Sequence, residues 1–133
     1  MSRERILREL ALLREGNQVA DLVTSDRDYV VYRNVPTAGA RVAAPVVTDV
    51  IVPVPPGYPG SMIDLAGLPV GSPLLTRLKG GQNNQGTVHA DGKAWQLASY
   101  HPHQNGGAGP WDQMRDGFHT YFGHLLSWLD QVN

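Results

Sequence analysis

Apolar residues recur with a helical period near both ends of the chain and with an alternating period between them. Residues 3–15 carry apolar side chains three and four positions apart, which predicts an amphipathic helix built on Ile6, Leu7, Leu10 and Leu13. Toward the C-terminus, Asp112 is a good N-cap and begins a second predicted helix. One face of that helix is apolar and is formed by Met114, Phe118, Tyr121, Phe122, Leu125 and Leu129. Each helix therefore has one face to bury against another layer of the protein.

Between the helices, short segments rich in Val and Tyr predict β-strands. Val19–Thr24 and Tyr29–Val35 flank a polar turn, and a third strand lies within Val42–Val54. Thr87–Tyr100 predicts a hairpin because it turns at an Asp-Gly pair. Three to five strands with a helix at either end predict an α+β fold, in which an antiparallel meander sheet packs against an N-terminal and a C-terminal helix. We expect one domain over residues 1–133.

The stretch Thr48–Pro59, TDVIVPVPPGYP, joins an alternating strand pattern to four prolines. Proline fixes φ at about −65° and has no backbone donor, so the strand ladder ends here in a rigid turn. Tyr58 is expected to pack beside these prolines and to lock that turn. The following segment, Tyr58–Gly86, is rich in Gly and Pro and predicts loops.

Composition argues against several classes of function. The 133-residue chain has a formal net charge of −1 and 17% charged residues, so electrostatic binding to nucleic acid or to an anionic membrane is not expected. No apolar window reaches the ~18 residues of a membrane span, and the charged N-terminus is typical of a helix rather than of a signal peptide. We therefore expect a cytoplasmic protein. The chain has no cysteine, which excludes disulfides, thiolate metal sites and thiol nucleophiles, and no cofactor is expected.

A strand that runs into a proline-rich turn ending in Tyr58-Pro59, followed by Trp111 before an apolar helix, resembles the ubiquitin-conjugating enzyme fold. The short chain, the Gly-Tyr-Pro turn and the missing cysteine are similar to the prokaryotic family E of that superfamily. The resemblance implies a bacterial conjugation pathway with two partners, a ubiquitin-like protein and an activating-enzyme-like protein. It also implies that the N-terminal helix docks the activating enzyme. The arginines of its outer face, Arg3, Arg5 and Arg8 with Arg14 as a further candidate, are then expected to meet an acidic partner surface. Arg5 and Arg8 are the two chosen as partner-binding residues.

The resemblance places the family's nucleophile between the Tyr-Pro turn and the Trp. Counting onward from His89-Ala90-Asp91, which matches the family's His-Pro-Asn motif in part, reaches Ser99. Counting back from Trp111 by the family's spacing reaches His103. A third count, from the glycine at 92, reaches Ala94 or Trp95. All three counts fall within one stretch, residues 94–103.

Within that stretch, Ser99, His101 and His103 bring a hydroxyl and two imidazoles together. A serine hydroxyl is a weak nucleophile unless a base activates it, so a cysteine-less enzyme requires a neighbouring histidine. In an extended strand, Ser99 and His101 point to the same face. The pattern predicts that Ser99 carries the ubiquitin-like C-terminus as an oxyester and that His101 activates it. In the alternative interpretation these residues are an inert surface loop.

Two further candidate sites have simpler structural explanations. His101 and His103 have the spacing of a metal-binding pair. A zinc site needs at least a third ligand, and the sequence has no zinc-binding motif that would supply one. No metal site is therefore predicted. Tyr58 is a partner-binding candidate on the platform of the active site, although its place among prolines favours a structural role.

Three functions remain open at this point. The chain is an enzyme that accepts an activated ubiquitin-like C-terminus and passes it to an amine, a non-catalytic module that binds a ubiquitin-like protein or the activating enzyme, or a small α+β domain unrelated to this pathway. Covalent adduct formation separates the first of these from the other two.

Overall fold

The structure, a computed structural model, describes residues 2–37, 47–63, 65–77, 86–99 and 110–132. Helices flank a set of strands, and one short 3₁₀ turn lies at Pro73–Arg77. In chain order the elements are α1 (Ser2–Glu15), β1 (Ala20–Thr24), β2 (Asp28–Pro36), β3 (Val47–Pro53), β4 (Leu65–Pro69), β5 (Thr87–Ala90), β6 (Lys93–Ser99) and α2 (Phe118–Val132). The predicted α+β fold, with a helix at each end of an antiparallel sheet, is confirmed. No helix in these described ranges is long and apolar enough to cross a membrane.

The strands form one antiparallel sheet in the order β1-β2-β3-β4-β6-β5. The predicted meander of β1, β2 and β3 is present, and the predicted hairpin of β5 and β6 turns at Asp91 and Gly92, both with positive φ. The sheet has six strands, one more than expected, because β4 lies in the segment predicted to form loops. Its sequence, Leu-Ala-Gly-Leu-Pro, has no β-branched residue and no alternation of apolar and polar side chains.

The sheet curls, so that its two edge hairpins meet. Ser25 in the β1–β2 turn donates a hydrogen bond to the carbonyl of His89 in β5 at 2.8 Å, and Arg33 in β2 forms an ion pair with Asp91 in the β5–β6 turn. Inside the curl lies a cluster of buried side chains: Tyr29, Val31, Ile51, Ala90, Trp95 and Leu97. The opposite face of the sheet carries the larger core, which packs against both helices and Tyr58.

Gly67 in β4 is the point where this curled face has no room for a side chain. A Cβ at this position would lie 2.8 Å from Cγ2 of Ile51 and 2.9 Å from Cδ2 of Leu97. We expect Gly67→Ala to lower the free energy of unfolding by about 1–3 kcal/mol, the usual cost of overpacking a core. The measurement is urea denaturation of the purified variant.

A second glycine supplies the control for that experiment. Gly123 lies in α2, is exposed, and has nothing within 4 Å of an added Cβ. Gly123→Ala should therefore raise the stability by about 0.5–1 kcal/mol, since alanine is the better helix former. If the two variants changed stability in the same direction, the packing argument for Gly67 would be wrong.

Candidate functional site

The stretch expected to carry the nucleophile begins within β6. Trp95 is fully buried in the curled face and its indole nitrogen donates to the carbonyl of Ala90 at 2.9 Å. Leu97 and Ala98 are buried on opposite faces of the same strand. The count that reached Ala94 or Trp95 therefore falls on a core strand, where neither side chain offers a nucleophilic atom.

Ser99 is the last residue of β6, and its Cα pairs with that of Leu65 at the start of β4. The hydroxyl of Tyr121 in α2 donates to the carbonyl of Leu65 at 3.4 Å, so the second helix lies against this end of the sheet. The side chain of Ser99 lies outside the described residues, as do His101 and His103. The structure thus fixes the backbone from which the predicted nucleophile projects.

Trp111 anchors the chain where it returns from that stretch. Its indole nitrogen donates to the carbonyl of Pro59 at 2.8 Å, and its ring lies 6.2 Å from the ring of Tyr58, centroid to centroid. Trp111 therefore lies beside the Tyr-Pro turn.

The Tyr-Pro turn buries the ring of Tyr58 in the core. The bond between Tyr58 and Pro59 is cis, and the backbone nitrogen of Tyr58 donates to the carbonyl of Pro55 at 3.1 Å. The ring of Tyr58 is 5% exposed and packs against Phe118 of α2 with centroids 5.0 Å apart. The expected structural role of Tyr58 is borne out by this packing. Because the ring is so little exposed, it offers almost no surface to a partner. The partner-binding role of Tyr58 stays a prediction.

The centre of the site is the carboxylate of Glu9, a residue of α1 that is only 4% exposed. One oxygen, Oε1, accepts the hydroxyl of Tyr58 at 2.6 Å and the backbone nitrogen of Phe118 at 3.0 Å. The other oxygen, Oε2, accepts Nε of Arg5 at 2.7 Å. Glu9 therefore joins α1, the Tyr-Pro turn and the first residue of α2, and each contact is a charge-assisted hydrogen bond.

Arg5 completes this cluster from the same helix. Nη2 of Arg5 donates to the carbonyl of Asp116 at 2.7 Å. The guanidinium of Arg5 lies 5.7 Å from the centre of the Tyr58 ring. Burial is the largest influence on the pKa of Arg5 and acts to lower it, but the hydrogen bond and charge of Glu9 raise that pKa above its ordinary value. For Tyr58, burial and the hydrogen bond to Glu9 both raise the pKa of the phenol. The raised pKa values thus keep the guanidinium of Arg5 charged and the phenol of Tyr58 neutral.

This placement corrects the expectation that Arg5 belongs to the outer face of α1. The Arg5 side chain is only 22% exposed and bonds to Glu9 and to the carbonyl of Asp116, whereas Arg8 is exposed. Leu7 is also not a core residue, because 53% of its surface is exposed. The buried face of α1 is instead formed by Ile6, Glu9, Leu10 and Leu13.

The second helix begins at Phe118, not near Asp112 as predicted. Residues 112–116 form a turn whose hydrogen bonds include one from the nitrogen of Asp112 to a carboxylate oxygen of Asp116 at 2.9 Å and one from the nitrogen of Asp116 to the carbonyl of Asp112 at 2.7 Å. Met114, expected on the apolar face of the helix, lies in this turn and is 86% exposed. Gly117 then passes against Glu9 so closely that an added Cβ would overlap the carboxylate.

Sequence reasoning did not identify Glu9 or Gly117 as part of the site. The signal for Glu9 was present, because it lies three residues after Ile6 and four before Leu13, on the apolar face of α1. A charged residue on a buried face must find partners, and here these partners lie 49 and 109 positions away along the chain.

An open groove of about 510 Å³ lies between α1 and the turn that precedes α2. Its walls include the exposed side chains of Leu12 and Met114, 51% and 86% exposed, together with Arg8 and Arg115. Within the described ranges, no cluster of three or more His, Asp or Glu side chains is arranged to hold a metal ion. The described part of the site thus combines the buried Glu9 cluster with a groove of cationic and apolar side chains between α1 and the turn.

Comparison with models of protein families identifies the family of this chain. The model of the prokaryotic E2 family E matches residues 9–132, nearly the whole chain. No curated protein and no solved structure shows a significant similarity.

Proposed function

The chain belongs to the prokaryotic E2 family E, which supports a ubiquitin-conjugating-like role, and on that premise we propose that it is an acyl carrier. In this proposal it accepts the activated C-terminus of a ubiquitin-like protein from an activating-enzyme-like partner and passes it to an amine. Ser99 carries the acyl group as an oxyester, and the chain has no cysteine that would form a thioester.

The observation that carries this proposal is the way the Ser99 segment is held. Ser99 is the last residue of β6, which pairs with β4 from Trp95 to Ser99. A nucleophile must be presented in one position to react efficiently, and a backbone position held by strand pairing favours this.

The proposed transfer is an ordinary acyl exchange. The hydroxyl oxygen of Ser99 attacks the activated carbonyl carbon while His101 removes the hydroxyl proton, with His103 as the second base candidate. The bond to the leaving group of the activated carboxyl then breaks, and that group departs with the proton from the imidazolium. Attack by an acceptor amine on the ester forms an amide and returns the serine hydroxyl.

The test is reconstitution with the activating partner, ATP and the ubiquitin-like protein, followed by intact mass measurement. We expect a mass increase equal to the ubiquitin-like protein minus water. The adduct should survive thiol reductants and be cleaved by hydroxide, as an oxyester is. An adduct that withstands hydroxide would be an amide to a lysine and would contradict the carrier role of Ser99.

A second function, binding without catalysis, is favoured by the absence of cysteine. In that case the protein holds a ubiquitin-like protein or the activating enzyme without forming a bond to it. Tight complex formation with no adduct under the same conditions would support this module and overturn the enzyme.

Docking of the activating enzyme on α1 is proposed to involve Arg8. Arg8 is exposed and lines the groove beside Leu12 and Met114, so an acidic and apolar partner surface fits there. Arg8→Glu should lower the association rate constant for the activating partner roughly tenfold or more, because steering by exposed charge acts mainly on association. The melting temperature should change by only a few degrees, since surface charges contribute about 0–1 kcal/mol to stability.

The matched control is Arg14→Glu, an exposed arginine of the same helix that does not line the groove. Surface plasmon resonance at two salt concentrations measures both variants. Equal association rates for Arg8→Glu and Arg14→Glu would place the docking surface elsewhere. Arg5 is unsuitable for this test because its substitution breaks the Glu9 cluster.

A further inference from the structure

One exposed flank of α1 carries opposite charges at its two ends. Glu4, Leu7, Ala11 and Arg14 are all exposed and follow one another three, four and three positions apart. This spacing places their side chains in a single stripe along the helix. Within the described part of the chain, neither Glu4 nor Arg14 forms an ion pair. The helix dipole favours charges placed this way, but it does not account for the apolar pair between them.

Beside this stripe, an open groove of about 500 Å³ lies between α1 and β1. Its apolar lining includes Leu7, Leu10, Ala11 and Leu22. Leu7 lines the groove and is nevertheless 53% exposed, so its side chain remains half in water. β1 is an edge strand of the described sheet, and its outer side is not paired with another strand of that sheet. The groove can therefore accept an apolar side chain from outside.

The stripe is complementary to itself when a second copy of α1 lies antiparallel to the first. Positions 4 and 14 are symmetric about position 9, and so are positions 7 and 11. A two-fold axis at that level brings Glu4 of each copy opposite Arg14 of the other. The same axis brings Leu7 opposite Ala11, a large side chain opposite a small one, which suits helices packed 8–10 Å apart. Charge and shape thus both favour a second copy of this chain as the occupant.

We propose that this flank of α1 is an interface between two copies of the chain, which associate as an antiparallel two-fold dimer. Each Leu7 enters the groove of the other copy, and two Glu4–Arg14 pairs flank this apolar centre. A helix of 14 residues is only about 21 Å long, so the contact is smaller than the ~1,200–2,000 Å² of stable interfaces. The dissociation constant is therefore on the order of 100 µM. In dilute solution the chain is then monomeric, and the comparison of Arg8→Glu with Arg14→Glu is unaffected.

The test is sedimentation equilibrium of the purified full chain from about 10 µM to about 1 mM, which covers the expected dissociation constant. Glu4→Arg and Arg14→Glu should each weaken self-association about tenfold or more, because each turns both pairs across the axis into like charges. The variant with both substitutions restores two opposite pairs and should return to within about threefold of the wild type.

A mixture of the two single variants tests the same pairing between different copies. The Glu4→Arg copy carries arginine at both ends of the stripe, and the Arg14→Glu copy carries glutamate at both ends. The mixture should therefore form a dimer under conditions in which each variant alone is a monomer. This dimer should weaken as salt is added, since its pairs are exposed charges.

Leu7→Ala tests the apolar centre of the interface. Leu7 is half-exposed in the monomer, so the melting temperature should change little, whereas the dimer loses two buried leucine side chains. We expect its dissociation constant to rise roughly tenfold. Arg8→Glu makes the same charge change as Arg14→Glu but lies off the stripe, and it should leave the dissociation constant within about twofold of the wild type.

Three outcomes would overturn the proposal. One is a wild-type chain that stays monomeric at about 1 mM. Another is a dimer that both single charge reversals leave unchanged, because the two copies would then meet at a different surface. The third is a dimer that the single reversals weaken and the double variant does not restore, which would exclude the antiparallel arrangement. None of these results depends on adduct formation, so the proposed function is tested separately.

Discussion

Tyr58→Ala is expected to lower the free energy of unfolding by about 3–5 kcal/mol, the range for removal of a buried aromatic ring. The ring is 5% exposed and packs against Phe118, Trp111 and the guanidinium of Arg5. Its hydroxyl also donates to the buried carboxylate of Glu9 at 2.6 Å. The substitution therefore opens a cavity and removes a donor from a buried charge, and both effects act in the same direction. Chemical denaturation followed by far-UV circular dichroism measures the change.

Tyr58→Phe separates the two effects, because it keeps the ring and removes only the hydroxyl. The Oε1 atom of Glu9 then still accepts the nitrogen of Phe118. We expect this variant to lose about 1–2 kcal/mol, the cost of one missing partner to a buried polar group. A Tyr58→Ala stability within about 0.5 kcal/mol of the wild type would contradict the buried position of the ring.

The fold was predictable because its elements follow local rules. The helical spacing of Ile6, Leu10 and Leu13 gave α1, and the Asp91-Gly92 pair gave the last hairpin with its positive φ values. β4 was not predictable in this way. Its strand is made by pairing with β6 and by the space that Gly67 leaves for Ile51 and Leu97, and these contacts are distant in the sequence.

The start of α2 shows how a tertiary contact overrides a local signal. The Asp112 side chain does accept the nitrogen of Met114 at 2.9 Å, as an N-cap would, but this bond closes only the short turn 112–116. At the start of α2 itself, the nitrogen of Phe118 is bonded from α1 by Glu9. Helix-cap preferences describe bonds to the next few residues. They do not identify a cap that comes from another helix 109 positions away.

The site was predicted as a region and not as a set of contacts. Three counts from separate motifs gave different positions, all within residues 94–103, and the structure places the first part of that stretch in β6 up to Ser99. The scaffold around it was missed because the sequence pattern assigns charged residues to solvent. Arg5 and Glu9 do not follow that pattern, since each is the partner that allows the other to be buried.

Ser99→Ala is expected to abolish the covalent adduct with the ubiquitin-like protein. Ser99 ends β6 beside Leu65, and the chain has no cysteine to take over as a nucleophile. Alanine removes only the hydroxyl oxygen, so the strand and the affinity for the activating partner should be unchanged. His101→Ala should keep the adduct but form it about 10²-fold more slowly, the usual effect of losing a general base. Intact mass measurement over a time course records both results.

Ser127→Ala is the control for this experiment, because Ser127 is an exposed serine of α2 and should leave adduct formation as in the wild type. An adduct that survives Ser99→Ala would contradict the assignment of the nucleophile and would direct the next substitutions to His103 and Ser72.

The pH dependence of adduct formation separates the role of the base from that of the nucleophile. Loss of activity below the titration of an imidazole in the wild type, but not in His101→Ala, would identify His101 as the base, because a protonated imidazole cannot accept the hydroxyl proton. The same acid limb in both proteins would place the base elsewhere, with His103 the first to test.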